Sequence, residues 1–407
     1  PPPSVFPLPT SSKPRKPNKD KFISNNAHRP HVLARERLQL WSTPYSLRQR
    51  QSVNTSLPPP LAQKVFETIH NAHAPSTKGS YGAGLLRFNQ FCDRHNISEE
   101  DRMPASHILL VAFVADHQGQ VSGKTIKLWL SSIRAWHEVN HADWNGEDRW
   151  VQFARTSANK LGTHHRRPQR GPITIQHLHT IRNNLDLSSP KGAAYWAITL
   201  TAFWGCRRLG ELTTPSLSNF DPLQHVARST HLKFKTLPDG TTSVSFLVPW
   251  TKTKKQEGGR VVLTGRDDDL CPVTAIRNHL KINNSAPLTS HLFSYCNNSR
   301  LHTFSLPAKP PFLDFLTKTV QSNCNDTVFG HSLRIGGSVE LLLAGVSPEV
   351  VASIGEWTSL AFLLYWRKLE DLIPRSISSA YHKKSLNDVV QAFEAFRVKN
   401  NIPKNIS

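Results

Sequence analysis

The sequence predicts a mainly α fold with a small antiparallel β-sheet in the C-terminal domain, built as two domains joined by a basic linker. Three observations carry this. Residues 61–155 place apolar side chains at helical spacing and contain no alternating run. A segment without apolar residues, His164-His165-Arg166-Arg167-Pro168-Gln169-Arg170-Gly171-Pro172, interrupts the chain. Beyond it, three short runs with strand texture lie between helical segments.

The elements follow in order. Residues 1–60 hold twelve Pro, and ten Lys or Arg against only Asp20 and Glu36. Such a composition buries too little to fold and predicts a disordered basic tail. Within it, the basic run from Lys13 to Lys21 reads as a nuclear-import signal, a loose DNA contact or a solvated linker, and the first of these predicts a nuclear protein. Residues 61–160 form a helical domain. Leu61, Val65, Phe66 and Ile69 mark its first helix. Tyr81, Leu85, Phe88 and Phe91 mark the second, with Ser80 as N-cap. Ile108 to Val114 gives a third, and Thr125, Leu128, Trp129, Ser132, Ile133 and Trp136 a fourth. Residues 161–172 are the linker, either a strap along a phosphate backbone or merely solvated.

The second domain spans 173–385, with a C-terminal helix or tail over 386–407. Helices are expected at 174–185 and 191–206. Strands are expected around Leu232 and Phe234, around Val244, Phe246 and Val248, and at Val261-Val262-Leu263. Asp239-Gly240 signals a hairpin between the first two. Helical pattern returns at 272–281 and dominates from 311. There Gly345 and Gly355 end helices, and Ser347-Pro348-Glu349 starts one. Val389, Val390, Phe393 and Phe396 form an apolar stripe near the end.

Charge points to a partner. Fifty Lys and Arg against twenty-nine Asp and Glu leave +21, a field that attracts nucleic acid or an anionic membrane. No apolar run reaches the roughly 18 residues of a membrane-spanning helix. The five Cys are odd in number, scattered and without a CxxC pair, which argues against a disulfide framework or a zinc knuckle and for a reducing compartment. The opening Pro1-Pro2-Pro3-Ser4 lacks a Met and reads as a fragment of a longer chain.

Four clusters carry candidate chemistry. Arg207-Arg208 end an apolar helix, where burial is costly unless the guanidinium is paired or serves an anion. Arg208 and Glu211, three apart, can pair across one turn. His331 and Arg334 share a face if the segment is helical, and together suit a phosphate. Trp357, and Tyr365 within an apolar helix, each read singly as packing. Lys252, Lys254 and Lys255 sit between the second and third strand runs, as a solvated turn or a phosphate contact.

Their order is more specific than any one of them. Arg208 in Gly205-x-x-Arg208-x-Gly210-Glu211, a hairpin Lys, His331-x-x-Arg334, Trp357 and Tyr365 resemble the tyrosine recombinase (phage-integrase) family. The texture is most similar to the Crypton and DIRS recombinases of eukaryotic mobile elements. The resemblance covers roughly residues 60–385. Ser80-Tyr81, Phe88, Phe91, Ser122 to Ile126 and Leu130 to Arg134 match its helical core-binding domain.

The resemblance implies a two-domain DNA clamp of the DNA breaking-rejoining type. In it Tyr365 attacks a phosphodiester to give a 3′-phosphotyrosyl link. Arg208 and Arg334 hold the non-bridging oxygens, His331 and Trp357 complete the pocket, and Glu211 orients Arg208. The hairpin Lys, Lys252 in preference to Lys254, protonates the leaving oxygen. Lys124, Lys127 and Arg134 on the fourth helix, and Arg166, Arg167 and Arg170 of the linker, contact DNA. The implied partners are double-stranded DNA and three further copies, a tetramer on two sites, with no membrane, cofactor or metal. The alternative is a DNA-binding protein descended from such a recombinase that no longer cleaves.

Overall fold

The computed structural model describes residues 26–166, 170–298, 303–357 and 383–401. The chain forms two compact units, one up to Pro168 and one from Gln169.

The first unit is helical: α1 (Ala34–Leu40), α2 (Pro44–Ser56), α3 (Pro59–Asn71), α4 (Pro75–Arg94), α5 (His107–His117), α6 (Gly123–Val139) and α7 (Arg149–Leu161), then a 3₁₀ turn (Thr163–His165). Its core joins Phe88, Phe91 and Phe113 in edge-to-face contacts with Leu110, Ile126, Leu130, Ile133 and the fully buried Trp136. The expectation of a disordered tail over 1–60 fails from residue 26 onward, because α1, α2 and the start of α3 lie there. Long-range contacts supply what the local composition lacks. Val32, Leu38 and Trp41 enter the core, and Trp41 Nε1 donates to the Pro30 carbonyl at 3.0 Å. Arg29, fully buried, pairs with Glu99 and Asp93, and Arg102 pairs with the same two carboxylates. Thr43 caps α2 through a reciprocal pair of bonds with Ser46. Residues 1–25 lie outside the described residues. Ser80 is not an N-cap either. Helix α4 begins at Pro75, whose fixed φ suits the first turn, and Ser80 sits inside it, donating to the Ser76 carbonyl.

The second unit is mixed. Helices α8 (Ile175–Asn183), α9 (Pro190–Trp204) and α10 (Leu209–Leu212) precede a three-stranded antiparallel sheet, β1 (Lys233–Thr236), β2 (Thr242–Val248) and β3 (Gly259–Thr264), in spatial order β1-β2-β3. Val244, Phe246 and Val248 on β2, with Val261 and Leu263 on β3, alternate inward, while Leu247 and Val262 face out. Asp239-Gly240 makes the expected turn, with the Thr241 amide donating to Asp239. Then come α11 (Pro272–Ile282), a second hairpin β4 (Tyr295–Asn298) and β5 (Thr303–Ser305), and helices α12 (Lys309–Cys324), α13 (Ser332–Leu343), α14 (Pro348–Gly355) and α15 (Lys383–Lys399). Every residue of α9 from Gly192 to Trp204 is buried, as in a helix apolar on all sides at the centre of a core. Val389, Phe393 and Phe396 of α15 are buried and the helix packs on α13 and α14, while Val390 of the expected stripe is exposed. Among the described residues no helix is long and apolar enough to cross a membrane.

Candidate active site

The site grows from the C-terminal end of α9. After Gly205 the chain turns through Cys206 in the left-handed region, φ 48°, and this aims the Cys206 carbonyl at Arg334. Arg334 Nη1 donates to that carbonyl at 2.6 Å and Nη2 to the Gly355 carbonyl at 2.8 Å, while its guanidinium lies 4.0 Å over the ring of Trp357. Cation–π contact and carbonyl dipoles thus hold a buried positive charge. The paired glycines after Arg334 explain how α13 comes so close to α9. A Cβ on Gly337 would lie 1.8 Å from the Phe203 carbonyl oxygen, and one on Gly336 would lie 2.0 Å from that of Ile173.

Arg207 and Arg208 divide their tasks. Both reach Glu211, through Arg207 Nε at 3.0 Å and Arg208 Nη1 at 3.0 Å, and the Arg208 amide donates back to the same carboxylate. The Arg207 side chain is only 1% exposed and continues to Glu356 at 3.2 Å; that of Arg208 keeps 25% of its surface in solvent. Arg208 is therefore the guanidinium that a solvent-borne anion can reach, and Arg207 is structural.

His331 is the N-cap of α13, one turn before Arg334, with its carbonyl accepting from the Ile335 amide at 3.1 Å. Burial first, then the charges of Arg334, Arg170, Arg208 and Lys309, pushes its imidazole down to about 4. It is neutral at pH 7 and able to accept a proton. The same charges place it in a cationic pocket. Arg170, from the segment expected to be a linker, lies 5.7 Å over the Phe329 ring, and Lys309 opens α12 beside Gly330. Arg208, Glu211, His331, Arg334 and Trp357 are thus brought together.

The β2–β3 connection meets this pocket through Glu356. Lys254 Nζ lies 3.6 Å from Glu356 Oε1, and the Arg260 amide donates to the same oxygen at 3.1 Å. Lys252 is exposed in the same turn. Tyr365 and Arg167 lie outside the described residues. On α6, Lys124 and Lys127 are exposed, and Arg134 is bound to Glu138 at 2.7 Å and Glu147 at 2.9 Å. Lys127, Arg134 and Arg155 line a cleft of about 160 Å³ with Trp144. Arg166 is exposed and donates to the Asn159 carbonyl. Among the described residues no group of three or more His, Cys, Asp or Glu could hold a metal ion.

Sequence reasoning missed Arg207's two carboxylates, Lys309 and Glu356. Lys309 had one signal, a Lys beside a Pro opening a helix. Glu356 had only its oddity, a charged residue where a helix ends.

A mainly helical chain with small antiparallel sheets matches the fold of solved site-specific recombinases. The chain is similar to the XerH site-specific recombinase bound to palindromic difH substrate, with a TM-score of 0.50 and 13% identity over 85% of this chain and 93% of that one. It is also similar to the FLP recombinase–Holliday junction complex (TM-score 0.33, 12% identity, 57% of this chain and 59% of that). A third similar structure is the XerA recombinase (0.32, 12%, 83% and 99%). No protein-family model matches the sequence, and no curated protein matches it. At 13% identity, the XerH likeness establishes the fold.

Proposed function

We propose that the chain is a tyrosine-type site-specific DNA recombinase. The observation that carries the reading is the convergence of Arg208, the His331–Arg334 pair and Trp357, from three separate stretches of the chain, in one cationic site of a chain with a recombinase fold.

The chemistry follows from the groups. The Tyr365 Oη attacks the phosphorus, the bond from phosphorus to the 5′-oxygen breaks, and a 3′-phosphotyrosyl link forms. A phenol with an ordinary pKa of about 10 needs help losing its proton. His331, held neutral among these cations, completes the pocket by hydrogen bonds and assists the transfer. Arg208 reaches the non-bridging oxygens, and Arg334, buried with both Nη atoms on backbone carbonyls, adds its positive charge from behind. Trp357 can only donate, so it holds an oxygen and takes no proton. Lys252 gives its proton to the departing 5′-oxygen. Bond energy stays in the phosphotyrosyl link, so rejoining needs no nucleotide.

DNA contacts belong to the same proposal. Lys124, Lys127, Arg166, Arg167 and Arg170 would supply salt-dependent, sequence-independent affinity. Residues 61–160 would act as the core-binding domain and 173–385 as the catalytic domain, closing on the duplex. Four copies on two sites, a mobile-element role of the Crypton or DIRS kind, and action in the nucleus complete the reading.

The test uses labelled, nicked duplexes tiled across the DNA on either side of the gene. A covalent protein–DNA adduct that disappears in Tyr365→Phe is expected. Salt-sensitive binding with no adduct on any duplex would instead identify a DNA-binding protein without cleavage.

A further inference from the structure

Glu356 is in a costly position twice over. It follows α14 with φ 52°, in the left-handed region where a helix end ordinarily has Gly or Asn. Its carboxylate is also buried, only 7% exposed. A residue set against both backbone preference and hydration is kept there by what it binds.

What it binds is specific. Arg207 Nη2 donates at 3.2 Å, the Arg260 amide at 3.1 Å, and Lys254 Nζ stands at 3.6 Å. Gly259 leaves the room: a Cβ there would lie 2.3 Å from Glu356 Oε2. Lys254 belongs to the tip of the β2–β3 connection, and Gly259 and Arg260 begin β3. One carboxylate therefore holds the tip and the returning limb of the segment that bears Lys252. Its other partner, Arg207, leads through Glu211 to Arg208, and Trp357 is its chain neighbour. Arg207 and Arg208 balance Glu211 and Glu356, so Lys254 is the surplus cation, its side chain 43% exposed.

We propose that Glu356 is a positioning residue for strand cleavage. By clasping the β2–β3 connection it sets Lys252 at the leaving 5′-oxygen, and this role rests on the recombinase reading. As the bond from phosphorus to the 5′-oxygen breaks, Lys252 Nζ transfers a proton to that oxygen and remains as a neutral amine.

A sulfur leaving group separates positioning from general support. A thiol's pKa of about 8.5 lets a 5′-thiolate depart without a proton donor. The full-length protein is assayed on a cleaved duplex made with either oxygen or sulfur at the scissile 5′ position. Glu356→Gln is expected to slow the oxygen duplex about 10²-fold, the scale of general-acid catalysis, and to leave the sulfur duplex nearly unchanged. Lys252→Met should show the same selectivity. Lys254→Met, a change at an exposed side chain, should show a smaller oxygen-only loss. Equal slowing of both duplexes by Glu356→Gln would overturn the role. Amide hydrogen exchange on the free protein adds an arm without DNA: Glu356→Gln should speed exchange over residues 250–260 and leave α9 protected. Unchanged exchange there, with a wild type that cleaves, overturns the role alone. A wild type inert on both duplexes overturns the recombinase reading, and the role falls with it.

Discussion

Each unit buries a cluster of arginines and carboxylates, and the two clusters differ in their balance. In the first unit Arg29 and Arg102 face Asp93 and Glu99, two charges against two, drawn from the segment before α1, the end of α4 and the connection that follows it. In the second, Arg207, Arg208 and Lys254 face Glu211 and Glu356, with Arg334, Arg170 and Lys309 close by. A balanced cluster closes on itself and holds structure. A cluster with surplus cations still attracts an anion. Burial of charge alone does not separate a structural pair from a working one; the remainder after pairing does.

The largest effect should come from breaking the balanced cluster. Glu99→Gln leaves Arg29 and Arg102 with one carboxylate, a loss of about 3–5 kcal/mol of first-unit stability by urea unfolding, the usual consequence of removing one partner of a buried pair. Cleavage per folded molecule should be unchanged. A folded Glu99→Gln protein that no longer cleaves would erase the contrast between the clusters.

Arg208→Ala should do the reverse. It leaves Arg207 on Glu211 and removes the partly exposed guanidinium. Cleavage should fall about 10²–10³-fold, as for loss of one donor to a developing oxyanion, with a far smaller shift in the urea midpoint.

Acid separates stability from the site. Burial pushes His291 down to about 3 and His279 to about 4. The His279 Nδ1 accepts from Asn283 and the His291 Nδ1 accepts from the Phe293 amide, bonds that a proton would remove. Both folded-state values lie below the unfolded 6.5, so the unfolded chain binds more protons. Their stabilisation is complete above pH 6.5 and is lost as pH falls towards the folded values. The slope is about 1.4 kcal/mol per pH unit per histidine. His291→Asn should reduce that slope by about one proton in unfolding measured between pH 6 and pH 4; an unchanged slope would mean that His291 is not held neutral.

The smallest effect concerns α6. Arg134 already serves Glu138 and Glu147, so Arg134→Gln should leave the salt dependence of DNA binding nearly unchanged. Lys127→Gln should lower the slope of log affinity against log salt by about 0.9, one phosphate contact. The opposite ranking would show that DNA displaces the two glutamates.

The sequence made some elements legible because their cause is local. In α6, Ser132, Ile133 and Trp136 of the expected helical pattern are buried, while Leu128 is exposed. The alternation on β2 and the Asp239-Gly240 turn were equally plain. What stayed hidden rests on distant partners. The segment from Asn26 to Ser56 reads as a tail until Glu99 and the aromatic core receive Arg29 and Trp41. The β4–β5 hairpin has too few residues to show alternation. In the site, the order from Arg208 to Trp357 was legible as a resemblance. The division of labour between Arg207 and Arg208, and the clasp of Glu356, depend on contacts across about 150 residues of chain.

The central claim is that the cationic pocket serves a tyrosine that becomes covalently joined to DNA. The most direct measurement is to trap the adduct on a nicked duplex, digest protein and DNA, and map the modified peptide by mass spectrometry. A nucleotide 3′-phosphate on Tyr365, absent in Arg208→Ala at short times, is the expected result. A nucleotide on any other residue, or an adduct formed equally fast without Arg208, would contradict the account.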